Sequence, residues 1–182
     1  MLRLFVGLKL PEIVRRELSV IESGLPGARW IPPENLHMTL RFIGEIDEIM
    51  AEDVDGMLSG ITAPDFELSL TGVDCFHTRG RVRTVWAGVS AGPGLAALQA
   101  KVESAAVRAG LTPEGRKFKA HVALARLKNV PLPTVQPYLE LNGGFRSSRF
   151  HAGGFTLFRS HLGRSGADYE ALVEYPLASV AA

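Results

Sequence analysis

The sequence has few of the features that mark several large classes of protein. Its 182 residues include one cysteine, Cys75, which cannot form an internal disulfide or a cysteine metal cluster. This usage is typical of a reducing compartment, so we expect the cytoplasm. The formal net charge is +1, so the molecule as a whole does not attract nucleic acid or membranes. A polyanion would have to be held by a local patch.

Apolar runs are short. The N-terminal run meets charges at Lys9 and Glu12, is too short to span a membrane, and lacks the small-residue cleavage site of a signal peptide. We therefore expect no membrane partner and interpret this run as the first strand. With 46% apolar and 21% charged residues, the composition is that of a globular protein. We expect residues 1–182 to form a single bilobal domain and to be a monomer.

Two stretches place a histidine in an otherwise apolar strand. From Leu36 to Phe42 every second residue is apolar, whereas His37, Thr39 and Arg41 alternate with them and should share the other face. The pattern returns in weaker form around His121, 84 residues later. A strand face with imidazole, hydroxyl and guanidinium groups is either solvated or lines a polar cleft.

The hydrophobic periodicity predicts an alternation of strands and helices. The segment HTRGRVR, residues 77–83, contains three arginines and a glycine and is predicted to be an exposed loop. Prolines limit the predicted helix at residues 131–141 to short pieces. The other predicted helices cover 11–24, 47–58 and 93–110, and the other predicted strands cover 4–8, 66–73, 84–89, 121–127, 145–158 and 169–177.

The second half of the chain repeats the element order of the first: strand, helix, loop, histidine strand. From Phe5 to His37 is 32 residues, and from Trp86 to His121 is 35 residues. This spacing indicates a pseudo-duplication. Alternating apolar strands with few helices predict an α+β fold built from two antiparallel sheets with flanking helices.

Two histidines facing one cleft suit acid–base chemistry near neutral pH. In an in-line displacement at a phosphodiester, one imidazole takes a proton from the attacking oxygen while the other protonates the departing oxygen. The Thr39 hydroxyl can donate a hydrogen bond to a phosphate oxygen, and a nearby arginine can offset its charge.

The segments HMTL (37–40) and HVAL (121–124) resemble the paired H-x-T-x motifs of the two-histidine (2H) phosphoesterases. The match is closest to the bacterial and archaeal RNA 2′,3′-cyclic phosphodiesterases, once called 2′-5′ RNA ligases. RLFVGLKLPE, LHMTLRFIGE, VWAGV, FKAHVALARLK and YEALVEYPL resemble family segments in family order, so the resemblance extends over the whole chain.

This resemblance implies a bilobal fold with a central groove and metal-independent opening of an RNA 2′,3′-cyclic phosphate to a 2′-phosphomonoester, with no cofactor. The partners implied are RNA ends with that group, or cyclic nucleotides. By position, His37 resembles the family's proton donor and His121 its proton acceptor. Thr39 and Arg126 match phosphate-contacting positions, and Phe42 matches a position that contacts base or ribose. Strict alternation places Phe42 and Arg126 on the face away from the histidines, so both need a bulge or twist to reach the site.

One departure from the family pattern keeps alternatives open. Ala123 stands where the family usually has threonine or serine, and a lost contact to a charged group costs about 1.5–3 kcal/mol. A diverged module that binds RNA ends or nucleotides with weak turnover is therefore an alternative. Reversible 2′–5′ ligation through the same histidines is another.

Other candidate residues have ordinary structural interpretations. Trp30 and Trp86 are expected in the core, and no ligand partner at i+2 or i+4 accompanies either motif histidine, so we expect no metal site. The remaining histidines carry no spacing signal, and the basic residues are either solvated charges or groove walls that contact RNA. These are His77, His151 and His161, and Arg79, Arg81, Arg83, Lys117 and Lys119.

Overall fold

A computed structural model describes residues 1–179. It contains four α-helices and nine strands within those residues. In chain order they are β1 (Leu2–Lys9), α1 (Glu12–Ser19), β2 (Arg29–Trp30), β3 (His37–Ile46), α2 (Glu48–Ser59), β4 (Phe66–Thr78), β5 (Arg81–Ala91), α3 (Pro93–Arg108), β6 (His121–Pro131), α4 (Leu132–Asn142), β7 (Phe150–Ala152), β8 (Gly154–Gly163) and β9 (Gly166–Pro176), with a 3₁₀ turn at Pro33–Asn35. None of these helices is long and apolar enough to cross a membrane.

The strands form one antiparallel path in the order β7-β4-β5-β6-β3-β1-β8-β9, with β2 paired to β6. The α+β fold with two related halves is confirmed. The halves meet at the centre of the path, where β3 and β6 are joined through the Met38–Val122 pair. The two expected sheets are therefore continuous at this pair.

The helices pack against one face of the sheet and leave the other face for the histidines. Fully buried side chains such as Val14 of α1 and Leu98 of α3 meet Leu4, Met38 and Val122 of the strands in one apolar core. Burial of each such side chain stabilises the fold by about 1.5–3 kcal/mol. Because successive strand residues alternate between faces, His37 and His121, which flank the buried Met38 and Val122, lie on the opposite face.

Two predicted elements were wrong. Residues 77–83 are not a loop, because β4 continues to Thr78 and β5 begins at Arg81, with a tight turn at Arg79–Gly80 between them. Both turn residues have positive φ, 52° and 74°, which suits a two-residue hairpin. Arg81 and Arg83 are exposed strand residues, and their buried neighbour Val82 anchors the strand.

α4 is one continuous helix and not short pieces, although Pro137 removes one of its backbone hydrogen bonds. Val135 and Tyr138 hold it in a second apolar cluster, and the Tyr138 hydroxyl donates a 2.6 Å hydrogen bond to the Ile21 carbonyl. Other differences are shifts of element ends. α1 ends at Ser19 before a series of turns and not at Gly24, and the predicted 145–158 strand is divided into β7 and β8.

Candidate active site

His37 and His121 are the first residues of β3 and β6, and their rings are held in the same way. The Nδ1–H of His37 donates a 2.7 Å hydrogen bond to the carbonyl of Asn35, two residues earlier. The Nδ1–H of His121 donates a 2.7 Å hydrogen bond to the carbonyl of Lys119, again two residues earlier. Because a carbonyl can only accept, the neutral rings each leave Nε2 without a proton. Both Nε2 atoms are thus set as acceptors.

The Met38–Val122 pair brings the two histidines together. Since β3 and β6 run antiparallel and each histidine is one residue from that pair, they lie diagonally on either side of it. Thr39 is on the same face, and its hydroxyl donates a 3.0 Å hydrogen bond to His37 Nε2. Ala123 takes the equivalent place on β6 and offers no donor.

A β-bulge in each histidine strand turns a further residue onto this face. In β3, Val6 pairs with Arg41 but Gly7 pairs with Thr39, so Leu40 is an extra residue. In β6, Val85 pairs with Ala125 but Trp86 pairs with Ala123, so Leu124 is extra. A bulge of this kind resets the alternation of side chains. Phe42 and Arg126 therefore lie on the histidine face.

The same bulge removes Arg41 from the site. Its side chain is buried on the helix side, where it forms an ion pair with Glu103 and donates a 2.6 Å hydrogen bond to the Thr112 carbonyl. The alternation that placed Arg41 beside His37 and Thr39 was wrong because it ignored the bulge. Arg126 supplies the nearby guanidinium instead, and its Nη1 donates a 3.1 Å hydrogen bond to the Thr84 hydroxyl.

Aromatic rings surround His37. The ring centroids of Phe5, Tyr169 and Phe158 lie 4.7, 5.0 and 6.0 Å from that of the imidazole. Phe42, which is 58% exposed, stands beyond Phe5 with 6.1 Å between ring centroids. These rings exclude water from one side of the imidazole and leave Phe42 open to a ligand.

The surroundings of His121 differ. Phe76 meets its ring edge-on at 4.9 Å, and Trp86 lies at 5.8 Å with Lys119 Nζ over the indole, 5.4 Å from the ring centroid. Trp86 is only 5% exposed and its Nε1 is a buried donor that has no hydrogen-bond partner among the described residues. The expectation that Trp86 is buried is confirmed, but its ring also forms the floor beside His121.

Burial lowers the pKa of both imidazoles below the ordinary 6.5. For His37, the hydrogen bond to Asn35 opposes this shift, and the positive charges of Arg126 and His121 add to it. For His121, the Lys119 carbonyl opposes the shift, while Arg126 and Lys119 lower the pKa further. The positive charge of Arg126, which lies on the same face of the sheet, thus lowers the pKa of both rings.

The comparison with protein families agrees with this geometry. The model of the LigT-like phosphoesterase family matches residues 8–86 and 89–169, two consecutive segments that each contain one histidine strand. The chain belongs to the LigT-like phosphoesterase family.

Individual members of the family match over nearly full length. The RNA 2′,3′-cyclic phosphodiesterase of Aeropyrum pernix is 34% identical over 169 residues, which cover 92% of this chain and 96% of that protein. The RNA 2′,3′-cyclic phosphodiesterase of Aquifex aeolicus is 28% identical over 96% of this chain and 97% of its own. The crystal structure of E. coli LigT complexed with 3′-AMP superposes with a TM-score of 0.79 at 27% identity, covering 97% of this chain and 98% of that one.

In this LigT-like phosphoesterase the sequence patterns missed the aromatic residues around the histidines. Phe5 was interpreted as an ordinary strand residue, Phe76 fell between the predicted strand 66–73 and the predicted loop 77–83, and Tyr169 is 132 positions from His37 in the sequence. The alternation of Phe5 with the buried Leu4 and Val6 was the available signal for one of them. No local signal exists for Tyr169, since only the β1–β8–β9 pairing brings it to His37.

The remaining histidines lie outside this group. His151 Nε2 is 2.6 Å from the Asp65 carboxylate, and His161 Nε2 is 2.7 Å from the Glu170 carboxylate. Within residues 1–179, no group of three or more His, Cys, Asp or Glu side chains is arranged to hold a metal ion. Two clefts, of about 310 and 490 Å³, are lined by residues of β4 and α4, His77 among them, and by residues around α3; neither is lined by His37 or His121.

Proposed function

We propose that this chain hydrolyses RNA ends that carry a 2′,3′-cyclic phosphate to 2′-phosphomonoesters, with His37 and His121 as the acid–base pair and without a metal ion. The observation that carries the proposal is the matching pair of hydrogen bonds that fixes the two imidazoles, each with Nδ1–H bonded to a carbonyl and Nε2 unprotonated, on the face of the sheet that also bears Arg126. The substrate class follows from the family members named RNA 2′,3′-cyclic phosphodiesterase. We further propose that the enzyme is a cytoplasmic monomer of one bilobal domain.

The proposed reaction is an in-line displacement at phosphorus. His121 Nε2 takes a proton from water as the water oxygen bonds to the phosphorus atom. The bond between phosphorus and the 3′ oxygen breaks, and His37 gives its Nε2 proton to that oxygen. The phosphate stays on the 2′ oxygen. The two histidines end the cycle with their protons exchanged, and solvent restores the starting state.

The other proposed site residues act on charge and position. The Arg126 guanidinium offsets negative charge on the non-bridging oxygens, and the Thr39 hydroxyl turns from His37 Nε2 to one of those oxygens. Phe42 gives the exposed ring on which the terminal base or ribose rests. The roles of Phe42 and Arg126 depend on the bulges, because an unbulged strand would direct both side chains to the helix side.

The lowered pKa values fit the two roles differently. A neutral His121 is ready to accept a proton at neutral pH. His37 must be protonated to act as the acid, and in the free enzyme its burial works against the charged form. The bound phosphate anion supplies an opposite charge that favours the imidazolium. We therefore expect His37 to take up its proton when substrate binds.

The first test uses a short RNA that ends in a 2′,3′-cyclic phosphate, incubated with excess EDTA. Wild type should give only 2′-phosphate ends, and His37→Ala and His121→Ala should both lose the activity. His151→Ala is the matched control, because that histidine is bonded to Asp65 outside the site. Product that survives both replacements, or no product from folded wild type, would overturn the proposal and leave the RNA-end-binding module as the better description.

A further inference from the structure

A basic strip extends from the histidine site along β5 and β6 toward the β4–β5 turn. We define the basic strip as Arg126, Arg83 and Arg81. Arg126 pairs across the strands with Thr84. Arg83 is an extra residue of β5 between the Phe76–Thr84 and His77–Val82 pairs with β4. Val82 and Val85 are buried in the apolar cluster under α4. Because side chains alternate, Arg81 and Arg83, on either side of Val82, project to the histidine face.

The guanidinium groups of the strip are held by neutral acceptors. Arg83 Nε donates to the Asn129 amide oxygen at 3.1 Å, and Arg81 Nη1 lies 3.4 Å from the Asn129 carbonyl. Asn129 has a positive φ of 52°, a backbone conformation in which it presents both oxygens to these arginines. Together with the Arg126–Thr84 contact, these bonds fix the arginines without neutralising them.

This arrangement differs from that of the basic residues that are held in ion pairs. Lys9, Arg16, Arg41 and Arg149 each form an ion pair with a glutamate. Within residues 1–179, no carboxylate forms an ion pair with a residue of the strip. Residues 75–102 and 115–139 contain no aspartate or glutamate at all. The strip therefore keeps its charge for an anion from outside.

The length of the strip fits several nucleotides. Arg81 is five residues from Trp86, which lies beside His121, so the strip reaches about 16 Å from the site at a strand rise of about 3.3 Å per residue. That distance accommodates about five stacked nucleotides at about 3.4 Å each. Phe76, 39% exposed and cross-strand from Thr84, adds an aromatic ring between the strip and His121. Single-strand binding grooves combine charge and rings in this way.

We infer that the basic strip binds the RNA backbone on the 5′ side of the terminal nucleotide, so that the enzyme prefers oligonucleotides to mononucleotides. This inference rests on the proposed function for its end group. A 2′,3′-cyclic phosphate is a 3′ end, so all further nucleotides leave the site in one direction. The His37 side is closed by Phe158 and Tyr169, and its neighbouring β9 bears Asp168, Glu170 and Glu174. The strip is the open and positive exit.

The test compares two substrates that share a terminal nucleotide: adenosine 2′,3′-cyclic monophosphate and an RNA of about ten nucleotides with the same cyclic end. The variant is Arg81→Ser/Arg83→Ser. Arg15→Ser/Arg108→Ser is the control, because it removes the same charge from α1 and α3 on the helix side. We expect the variant to lower kcat/KM about tenfold for the RNA, by loss of exposed charge-assisted contacts. The mononucleotide should be turned over as by wild type.

Binding without turnover gives a second readout. Fluorescence anisotropy of a labelled RNA with a 2′-phosphate end should show weaker binding to the variant. The plot of log binding constant against log salt concentration should be shallower by about 1.4, because two phosphate contacts are lost and each contributes about 0.7 to the slope. The control variant should bind as wild type does. Equal effects on both substrates, or unchanged RNA binding and salt slope, would overturn the inference. If neither substrate is hydrolysed but the variant still loses RNA binding, the inference that the basic strip binds RNA is upheld and the proposed function is wrong.

Discussion

The two sides of the candidate site have the same backbone design and opposite chemical surroundings. Each histidine begins a strand, donates Nδ1–H to the carbonyl two residues earlier, and precedes a bulge. His37 then has three aromatic neighbours and the Thr39 hydroxyl. His121 has Phe76, Trp86, an exposed lysine and Ala123. The repeated part is the positioning of the imidazole, and the variable part is what touches it.

This difference matches the division of roles that we propose. The aromatic wall around His37 disfavours its charged form, and an imidazolium with a lowered pKa gives up its proton more readily. That is a useful property in an acid that protonates a departing oxygen. The base must meet water, and the more open side of the site, where the basic strip begins, is also where water and RNA have access. If both histidines had the same surroundings, neither the acid nor the base would be as well suited to its role.

The largest expected effect comes from replacing either histidine. His37→Ala and His121→Ala should each lower kcat by about 10²–10⁴-fold, the usual value of a general acid or base. A phosphodiester with p-nitrophenolate as leaving group needs no proton on departure, so it should restore His37→Ala toward wild type and leave His121→Ala inactive. Measuring both variants with both substrates assigns the roles. The reverse pattern of rescue would exchange acid and base between the two sides.

A second, smaller effect concerns the residue two positions after each histidine. Thr39→Ala should lower kcat/KM about 10–100-fold if the hydroxyl contacts the phosphate, with a contact to a charged group valued at about 1.5–3 kcal/mol. Thr39→Ser retains the hydroxyl and is the control. Steady-state kinetics of both variants on the cyclic-ended RNA provide the measurement. Equal rates for Thr39→Ala and wild type would show that neither side uses this contact.

Ala123→Thr asks the matching question on the other side. If the enzyme is active without a hydroxyl at position 123, adding one should raise kcat/KM modestly above that of the wild type. An inactive wild type whose activity appears only in Ala123→Thr would favour the binding-module alternative. Ala123 pairs directly with Trp86, so Ala123→Ser is the smaller substitution that separates the effect of the hydroxyl from that of the methyl group.

The pH profile of the rate should have an acid limb and an alkaline limb, along each of which the rate changes about tenfold per pH unit. In kcat/KM, which reports the free enzyme, activity falls on the alkaline side as His37 loses its proton, and that limb should lie below pH 6.5. In kcat the same limb should move to higher pH, because the bound phosphate anion favours the imidazolium. Rates measured across pH at low and saturating substrate test this. An alkaline limb in kcat/KM above 6.5 would contradict the burial of His37.

The sequence predicted the elements whose signals are local. The histidine strands and α3 follow from their periodicity. The helix predicted from Asp47 begins one residue later, at Glu48, because Asp47 is its cap and accepts a 2.8 Å hydrogen bond from the Met50 N–H. Family resemblance added Phe42 and Arg126, and the need for a bulge was foreseen. The bulges at Leu40 and Leu124 explain how both residues reach the histidine face.

Features set by pairing between distant strands could not be predicted in this way. The arginines at 81 and 83 looked like loop residues although their hairpin partner β4 is local, because the Asn129 oxygens that hold their side chains lie 48 and 46 positions away. Arg41 was misplaced because a single extra residue reverses which face a side chain occupies. The enclosure of His37 by Phe158 and Tyr169 depends on the β1–β8–β9 register, which has no local signature.

The smallest effect tests the aromatic wall itself. Tyr169→Ala opens His37 to water, which lessens the burial that lowers its pKa, so the pKa of His37 should rise by a fraction of a unit while that of His121 stays fixed. Phe76→Ala should do the converse, since that ring touches His121 alone of the two. NMR titration of the ring Cε1–H signals follows both histidines at once. Desolvation by the rings disfavours the charged form of each histidine, so removing a ring should not lower a pKa. A fall in either pKa would mean that the aromatic rings stabilise the imidazolium. The proposed contrast between a water-excluded acid, His37, and a solvent-accessible base, His121, would then be wrong.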